Sequence, residues 1–211
     1  MRGINETFIR DLQTGCLKEF LEAVVRDDRL WMGIRKNYIN IYYCGGNAAR
    51  IRQKGSGYEF YFDINYCNNK SITRHRDKLQ ETDFFNPAQV FDVFPYMLEE
   101  MDNWFETHPK PERTFQHSLL ANNPQILDIE YAGKTSQGKG FRLDMLAVTE
   151  NGIVIVENKF GNAAIGGKAG LAKHHDDIRN ILEDQDLKME LIGSMKSGSN
   201  TIMKVILETN L

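Results

Sequence analysis

The first part of the chain alternates between helical and strand-like spacing of its apolar residues. In residues 6–28 they recur at close to helical spacing, and Gly15 interrupts the pattern. The two segments that follow, LWMGIRKNYINIYYCGG and AARIRQKGSGYEFYFDINY, group β-forming residues around glycine-rich turns. They predict two to four antiparallel strands. Residues 1–86 are therefore interpreted as an N-terminal α+β region, a helix followed by antiparallel strands.

The pattern becomes helical from residue 86 onward. The segment NPAQVFDVFPYMLEEMDNWFETHP predicts a helix, with Pro87 at an early position and Pro95 as the site of a kink or break. Pro111 suits the start of another helix, and Glu112 falls in its first turn, where a carboxylate complements the helix dipole. We take residues 87–211 as a second domain.

Three strand-like segments follow the second of these helices. They are ILDIEYAG, FRLDMLAVTE and GIVIVENKF, and the segment LAKHHDDIRNILEDQ after them predicts a helix. The β-branched segment TIMKVILET predicts a last strand. From Pro111 onward the predicted order is α-β-β-β-α-β around a mixed sheet, so the expected fold class is α+β.

The dipeptide Asn-Gly at 151–152 predicts a tight hairpin between the second and third of these strands. Both central residues of a type I′ turn need positive φ, which Asn and Gly tolerate. A two-residue loop places Asp144 opposite Lys159 and Leu146 opposite Glu157. Because side chains alternate between the faces of a strand, the two acids and the lysine would share one face at one end of the hairpin.

Two acids and a lysine in an apolar hairpin indicate either a metal site or an ion pair. Neighbouring carboxylates repel each other unless a cation lies between them, and oxygen ligands favour Mg²⁺ or Mn²⁺ over Zn²⁺. Such an ion activates water, and Lys159 would hold that water or offset developing charge. The alternative is an ion pair between Asp144 and Lys159, with Glu157 at a solvent-facing strand end.

Composition narrows the class of protein. The chain is 41% apolar and 26% charged, as is usual for a globular protein, and it has no apolar run of about 18 residues and no N-terminal apolar segment typical of a secretory signal. Cys16, Cys44 and Cys67 have no C-x-x-C spacing, which indicates neither disulfides nor zinc and favours the cytoplasm. With a net charge of −3, nucleic-acid binding would need a local basic patch.

Four basic residues near the acids are candidate contacts for a polyanionic substrate: Arg142, Lys168, Lys173 and His175. Lys168 lies among glycines before a predicted helix, whose free N–H groups would suit a phosphate; a flexible connector is the alternative. His174 and His175 point about 100° apart on a helix, so only one can face the site. Scattered surface charge is the other interpretation of this set.

The element order and the D…E-x-K motif resemble the PD-(D/E)XK nuclease superfamily, which has the restriction-endonuclease-like fold. The resemblance covers the second half of the chain and implies a Mg²⁺-dependent nuclease that hydrolyses phosphodiester bonds, most readily of DNA, by a metal-activated water. It implies that Asp144 and Glu157 are metal ligands, with the backbone carbonyl of Asn158 as a third. By the same resemblance, Lys159 is the catalytic lysine and Glu112 matches the acid of the first helix.

The chain also departs from the family pattern. Arg-Leu precedes the strand aspartate in place of a proline, and Lys173, His174 and His175 stand where many relatives carry Gln and Tyr. The alternative function is a non-catalytic nucleic-acid-binding or assembly module that keeps the fold. The N-terminal region would either position the substrate or form a homodimer.

Overall fold

A computed structural model describes residues 2–63, 66, 86–135, 138–158 and 171–207, with side chains described for all of these except 171–173 and 199–207. Within these residues the protein forms six helices and two antiparallel sheets. The α+β class is therefore confirmed. The predicted mixed sheet is wrong for the described residues, because every pair of adjacent strands in both sheets is antiparallel.

Two short helices begin the chain. Helix α1 covers Glu6–Gln13, and the side chain of Asn5 caps it by accepting from the backbone N–H of Phe8. Helix α2 covers Lys18–Arg26. Gly15 lies between them, where a Cβ would come within 2.7 Å of the Cα of Asp11, so the chain can turn this tightly only with glycine. The predicted interruption of the helix is confirmed.

A four-stranded sheet follows, in the order in which its strands occur along the chain. The strands are β1 (Leu30–Ile34), β2 (Tyr38–Tyr43), β3 (Gly46–Lys54) and β4 (Gly57–Tyr61). Cys44 and Gly45 connect β2 to β3, with φ values of 46° and 79°. Positive φ at both residues of a two-residue loop is the mark of a type I′ hairpin. The prediction of two to four antiparallel strands is confirmed, and the number of strands is four.

Helix α3 covers Pro87–Thr107 and packs against this first sheet. The side chain of Asn86 caps it, and the helix continues through Pro95, so the predicted break does not occur. Its buried side chains join those of α1, α2 and the sheet in one apolar cluster, which we call the first core; they are Val90, Phe94, Met97 and Met101. A domain boundary at residue 86 stays a prediction, but by packing α3 belongs with the N-terminal sheet.

The second half of the chain forms the second sheet and three helices. Helix α4 is Pro111–Asn122, and the strands are β5 (Ile126–Lys134), β6 (Gly140–Thr149) and β7 (Gly152–Val156), in that order in the sheet. Helices α5 (Leu171–Glu183) and α6 (Gln185–Leu207) follow. No helix in these described parts of the chain is both long and apolar enough to span a membrane.

The predicted last strand is wrong. Residues 201–207 continue α6 instead of pairing with the sheet. Within α6, Leu187, Leu191 and Met195 are buried at intervals of four residues, and they pack with Leu143 and Leu146 of the second sheet. Once this helix has formed, each further residue adds a hydrogen bond without a new nucleation cost, and this outweighs the weak strand preference of β-branched residues.

A buried cluster of charges joins the two halves of the molecule. Asp128 of β5 is 1% exposed; it pairs with Arg2, and one of its oxygens lies 2.6 Å from Nη1 of Arg35. Nη2 of Arg35 donates to the carbonyl of Ile129 at 2.7 Å and lies 2.9 Å from the hydroxyl of Tyr42. Burial raises the pKa of Asp128 above its ordinary value, although both arginines act against this rise.

Candidate active site

The hairpin that carries the predicted site residues has a different register from the predicted one. Thr149 pairs with Gly152 and Leu146 pairs with Ile155, so the loop consists of residues 150 and 151. Within 149–152 only Gly152 has positive φ, at 131°, so the predicted type I′ turn is wrong. Gly152 is the first residue after the loop, and the pairing of the two strands differs from the predicted pairing by two residues.

A shift of two residues keeps the alternation of faces. The last pair of the ladder is Met145 with Val156, so Glu157 lies just beyond its end. The predicted pairing of Leu146 with Glu157 is wrong, because Leu146 pairs with Ile155. The predicted pairing of Asp144 with Lys159 involves a residue outside the described ones. That the two acids share a face stays a prediction, because Asp144 accepts a hydrogen bond from Asn158 whereas Glu157 contacts His174 of α5.

Hydrogen bonds connect this end of the sheet to helix α4. The backbone N–H of Asn158 donates to Oδ2 of Asp144 at 2.8 Å, which fixes the orientation of that carboxylate. Nδ2 of Asn158 donates to the carbonyl of Glu112 at 3.2 Å. Nε2 of Gln116 donates to the carbonyl of Asp144 at 3.4 Å. Glu112, Asp144 and Asn158 are thus held in one place by contacts between α4, β6 and the end of β7.

Glu130 is a further acid at this place, and sequence reasoning missed it. It has a φ of 50°, in the left-handed region that a residue other than glycine rarely adopts. Its neighbours Ile129 and Tyr131 pair with Met145 and Leu143, so Glu130 lies across from Asp144. Ile129 and Met145 pack in one apolar cluster, whereas Tyr131 and Leu143 pack in another. At Glu130, therefore, the two strands turn their apolar side chains from one cluster to the other.

These residues line a cleft of about 600 Å³ between the first sheet and the second. One wall is the β2–β3 turn, with Gly45, Gly46 and Asn47; the opposite side consists of α4 and the second sheet. Four predicted site residues line the cleft, together with three other charged residues: Glu112, Arg142, Asp144 and Asn158, and Lys110, Arg113 and Glu130. The N-terminal region therefore contributes directly to the candidate site.

Glu157 points to a helix that follows it. Its Oε1 lies 2.8 Å from Nδ1 of His174 on α5, and its side chain is only 8% exposed. His175, the predicted substrate contact, is exposed instead, and its Nδ1 lies 3.5 Å from a carboxylate oxygen of Asp176. His175 does not line the cleft. Of the two adjacent histidines, the structure brings His174 to a predicted site residue.

The other predicted residues lie where the structure gives no side chains. Lys159, the predicted catalytic lysine, and Lys168 are outside the described residues, and the side chain of Lys173 is outside them as well. Their predicted roles stay predictions. Arg142 is described: it is exposed, and its Nη1 lies 4.0 Å from a carboxylate oxygen of Glu130.

The residues at the end of the second sheet offer an all-oxygen donor set. Asp144 and Glu157 supply carboxylates and Asn158 a backbone carbonyl, and this chemistry fits Mg²⁺ or Mn²⁺. The part of the chain with described side chains holds no group of three His, Cys, Asp or Glu residues arranged to bind a metal. The metal site stays a prediction that rests on the chemistry of these donors.

Comparison of the chain with protein-family models, with curated proteins and with solved structures yields no match. The resemblance to the nuclease superfamily therefore rests on the D…E-x-K motif and on the elements that carry it.

Proposed function

We propose that the protein is a nuclease that depends on Mg²⁺ or Mn²⁺ and hydrolyses phosphodiester bonds of nucleic acid, with DNA as the favoured substrate. The proposal is carried by the cleft in which Asp144 and Glu112 lie beside the cations Arg113 and Arg142. A phosphodiester is an anion that needs cationic contacts, and its metal-assisted hydrolysis needs carboxylates within reach. The cleft supplies both kinds of group.

Each residue has a distinct role in this proposal. Asp144, Glu157 and the carbonyl of Asn158 would hold the ion, which supplies charge stabilisation and lowers the pKa of a bound water. The N–H of Asn158 keeps the Asp144 carboxylate in place, and the hydrogen bond from Gln116 fixes the backbone of β6. Arg142 binds the phosphate from the β6 side. By the resemblance, Lys159 holds the attacking water.

The proposal extends to the setting of the reaction. The corresponding partner is nucleic acid in the cytoplasm, and the wall that the β2–β3 turn contributes to the cleft supports substrate positioning as the role of the N-terminal region. Formation of a homodimer is the alternative role of that region.

The test is cleavage of linear and plasmid DNA by the purified protein with Mg²⁺ or Mn²⁺. Asp144→Asn should lower the rate by about 10³-fold, because an amide neither carries the charge nor binds the ion as a carboxylate does. An amide oxygen can still accept from the N–H of Asn158, so the fold should persist. Lys159→Ala should have a similar effect on cleavage.

Asp92→Asn is the matched control, because this aspartate lies exposed on α3, away from the cleft. It should cleave at the rate of the unmodified protein. Cleavage that survives both Asp144→Asn and Lys159→Ala would contradict the proposal.

One observation favours the non-catalytic alternative. The carboxylate of Glu157 lies 2.8 Å from the imidazole of His174, so a predicted metal ligand is engaged by a side chain of α5. A binding module could keep this pair for structural reasons. Nucleic-acid binding without cleavage in either metal would support that function.

A further inference from the structure

Arg113 differs from the two fully buried arginines, Arg2 and Arg35, in its partners. Arg2 and Arg35 both pair with Asp128. The described residues supply no carboxylate to Arg113, and its Nε–H is buried without a hydrogen-bond partner among them. A buried donor without a partner is costly. Burial also lowers the pKa of Arg113 from its ordinary value.

The surroundings of Arg113 hold its guanidinium group in place. The group lies over the ring of Phe105, with its central carbon 3.5 Å from the ring centroid. The β2–β3 turn lies against the aliphatic part of the same side chain, since a Cβ on Gly45 would come within 2.8 Å of Cγ of Arg113. A planar cation that is fixed in this way loses little entropy when it binds an anion.

Other cationic groups line the cleft near Arg113. Lys110 precedes helix α4 and forms no ion pair within the described part of the chain, and Arg142 reaches the cleft from β6 with only the 4.0 Å contact to Glu130. No side chain caps α4, so the first N–H groups of the helix and the positive end of its dipole also face this region. Glu112 and Glu130 carry opposite charges nearby, which suits an anion bound together with a metal ion.

We propose that Arg113, supported by Lys110 and Arg142, binds a phosphate group of the nucleic-acid backbone in this cleft, and that the β2–β3 turn holds Arg113 in position. The proposal rests on the proposed function, since it takes nucleic acid as the ligand, and it gives the N-terminal sheet a specific role in substrate binding. Arginine suits this role because its N–H groups can bind two phosphate oxygens at once.

The test measures binding of a fluorescently labelled single-stranded DNA by anisotropy, in EDTA and over a series of NaCl concentrations. Each phosphate contact contributes about 0.7 to the slope of log K against log salt concentration for single strands. Arg113→Gln should therefore reduce the slope by about 0.7, and should weaken binding by about tenfold at low salt. Arg113→Lys should keep the slope but lose part of the affinity.

Arg26→Gln is the matched control, because Arg26 lies exposed on α2 and pairs with Glu22. It should leave the slope unchanged. If Arg113→Gln does not fold, as judged by circular dichroism, Lys110→Gln and Arg142→Gln carry the test, since both residues are exposed and each should reduce the slope in the same way.

The outcomes separate this proposal from the proposed function. Unchanged slopes in all three variants overturn the phosphate site, even where the unmodified protein cleaves DNA with Mn²⁺. Reduced slopes in a protein that cleaves nothing support the phosphate site and overturn the nuclease. A protein that binds no nucleic acid overturns both.

Discussion

The two sheets of the molecule differ in what their side chains do. The first sheet and helices α1 to α3 enclose one large apolar cluster, the first core. The second sheet is covered by two smaller clusters; Glu130 and Asp144 lie on two of its neighbouring strands, and Glu157 directly follows the third. The first sheet and its helices therefore contain most of the buried apolar side chains, whereas the second sheet has charged side chains at the end that borders the candidate site.

The two halves also place their unusual backbone conformations differently. In the first half, Cys44 and Gly45 have positive φ in a hairpin turn, where that conformation is required. In the second half, Glu130 has positive φ inside a strand, at the position where the strand changes from one apolar cluster to another. A strained residue of this kind costs about 1–3 kcal/mol and is most often found at functional sites. The contrast supports the cleft beside Glu130 as the functional site.

The largest expected effect concerns the charges that join the two halves. Asp128→Ala leaves Arg2 and Arg35 buried without their counter-charge and should lower the free energy of unfolding by about 3–5 kcal/mol. Urea denaturation followed by circular dichroism measures it. Asp92→Ala, on the exposed side of α3, should change stability by less than about 0.5 kcal/mol. Equal effects of the two variants would show that the halves do not depend on the buried cluster.

A second prediction tests whether Pro95 inside helix α3 lowers the stability of the first half. Pro95 interrupts the hydrogen bonding of α3 because it has no N–H to offer the carbonyl of Phe91. The position is exposed, so Pro95→Ala should stabilise the protein by up to about 3 kcal/mol, measured by the same denaturation. A loss of stability would mean that the core needs the helix geometry that proline imposes.

A third prediction separates the strain of a turn from its contact with the cleft. Gly45 and Gly55 both have positive φ, 79° and 58°, but a Cβ on Gly55 meets nothing within 4 Å. Gly55→Ala should cost about 1 kcal/mol, the price of a left-handed alanine. Gly45→Ala should cost at least about 1 kcal/mol more, because its Cβ meets the backbone and side chain of Arg113.

The same pair of variants can be compared in the DNA-binding assay. Gly45→Ala should weaken binding because it displaces Arg113, and Gly55→Ala should not. Identical affinities for the two variants would show that the turn does not position the phosphate-binding residue.

Much of the fold could be predicted from local patterns. Helical spacing predicted an N-terminal helix interrupted at Gly15, which the structure shows as two helices, and β-forming residues around glycines predicted the first sheet. The Asn-Gly pair predicted the position of the last hairpin. These features depend on residues close together in the sequence, so local sequence patterns are sufficient to predict them.

The remaining features depend on which distant surfaces meet. The register of the last hairpin differs from the predicted one by two residues, with Thr149 paired with Gly152. The last segment became helical because α6 buries Leu187 and Leu191 against the second sheet. Glu130 and Arg113 gain their importance only from the cleft that the two halves form together, and no spacing along the chain indicates that cleft.

The shared construction of the cleft has a practical consequence. If the chain were cut in the short connection between Thr107 and Pro111, one fragment would carry the β2–β3 turn and the other would carry Arg113 and Asp144. Neither fragment alone would hold a complete cleft, and each would also expose one side of the buried charge cluster. If the protein binds DNA as proposed, recovery of that binding on mixing the two fragments would report their reassembly.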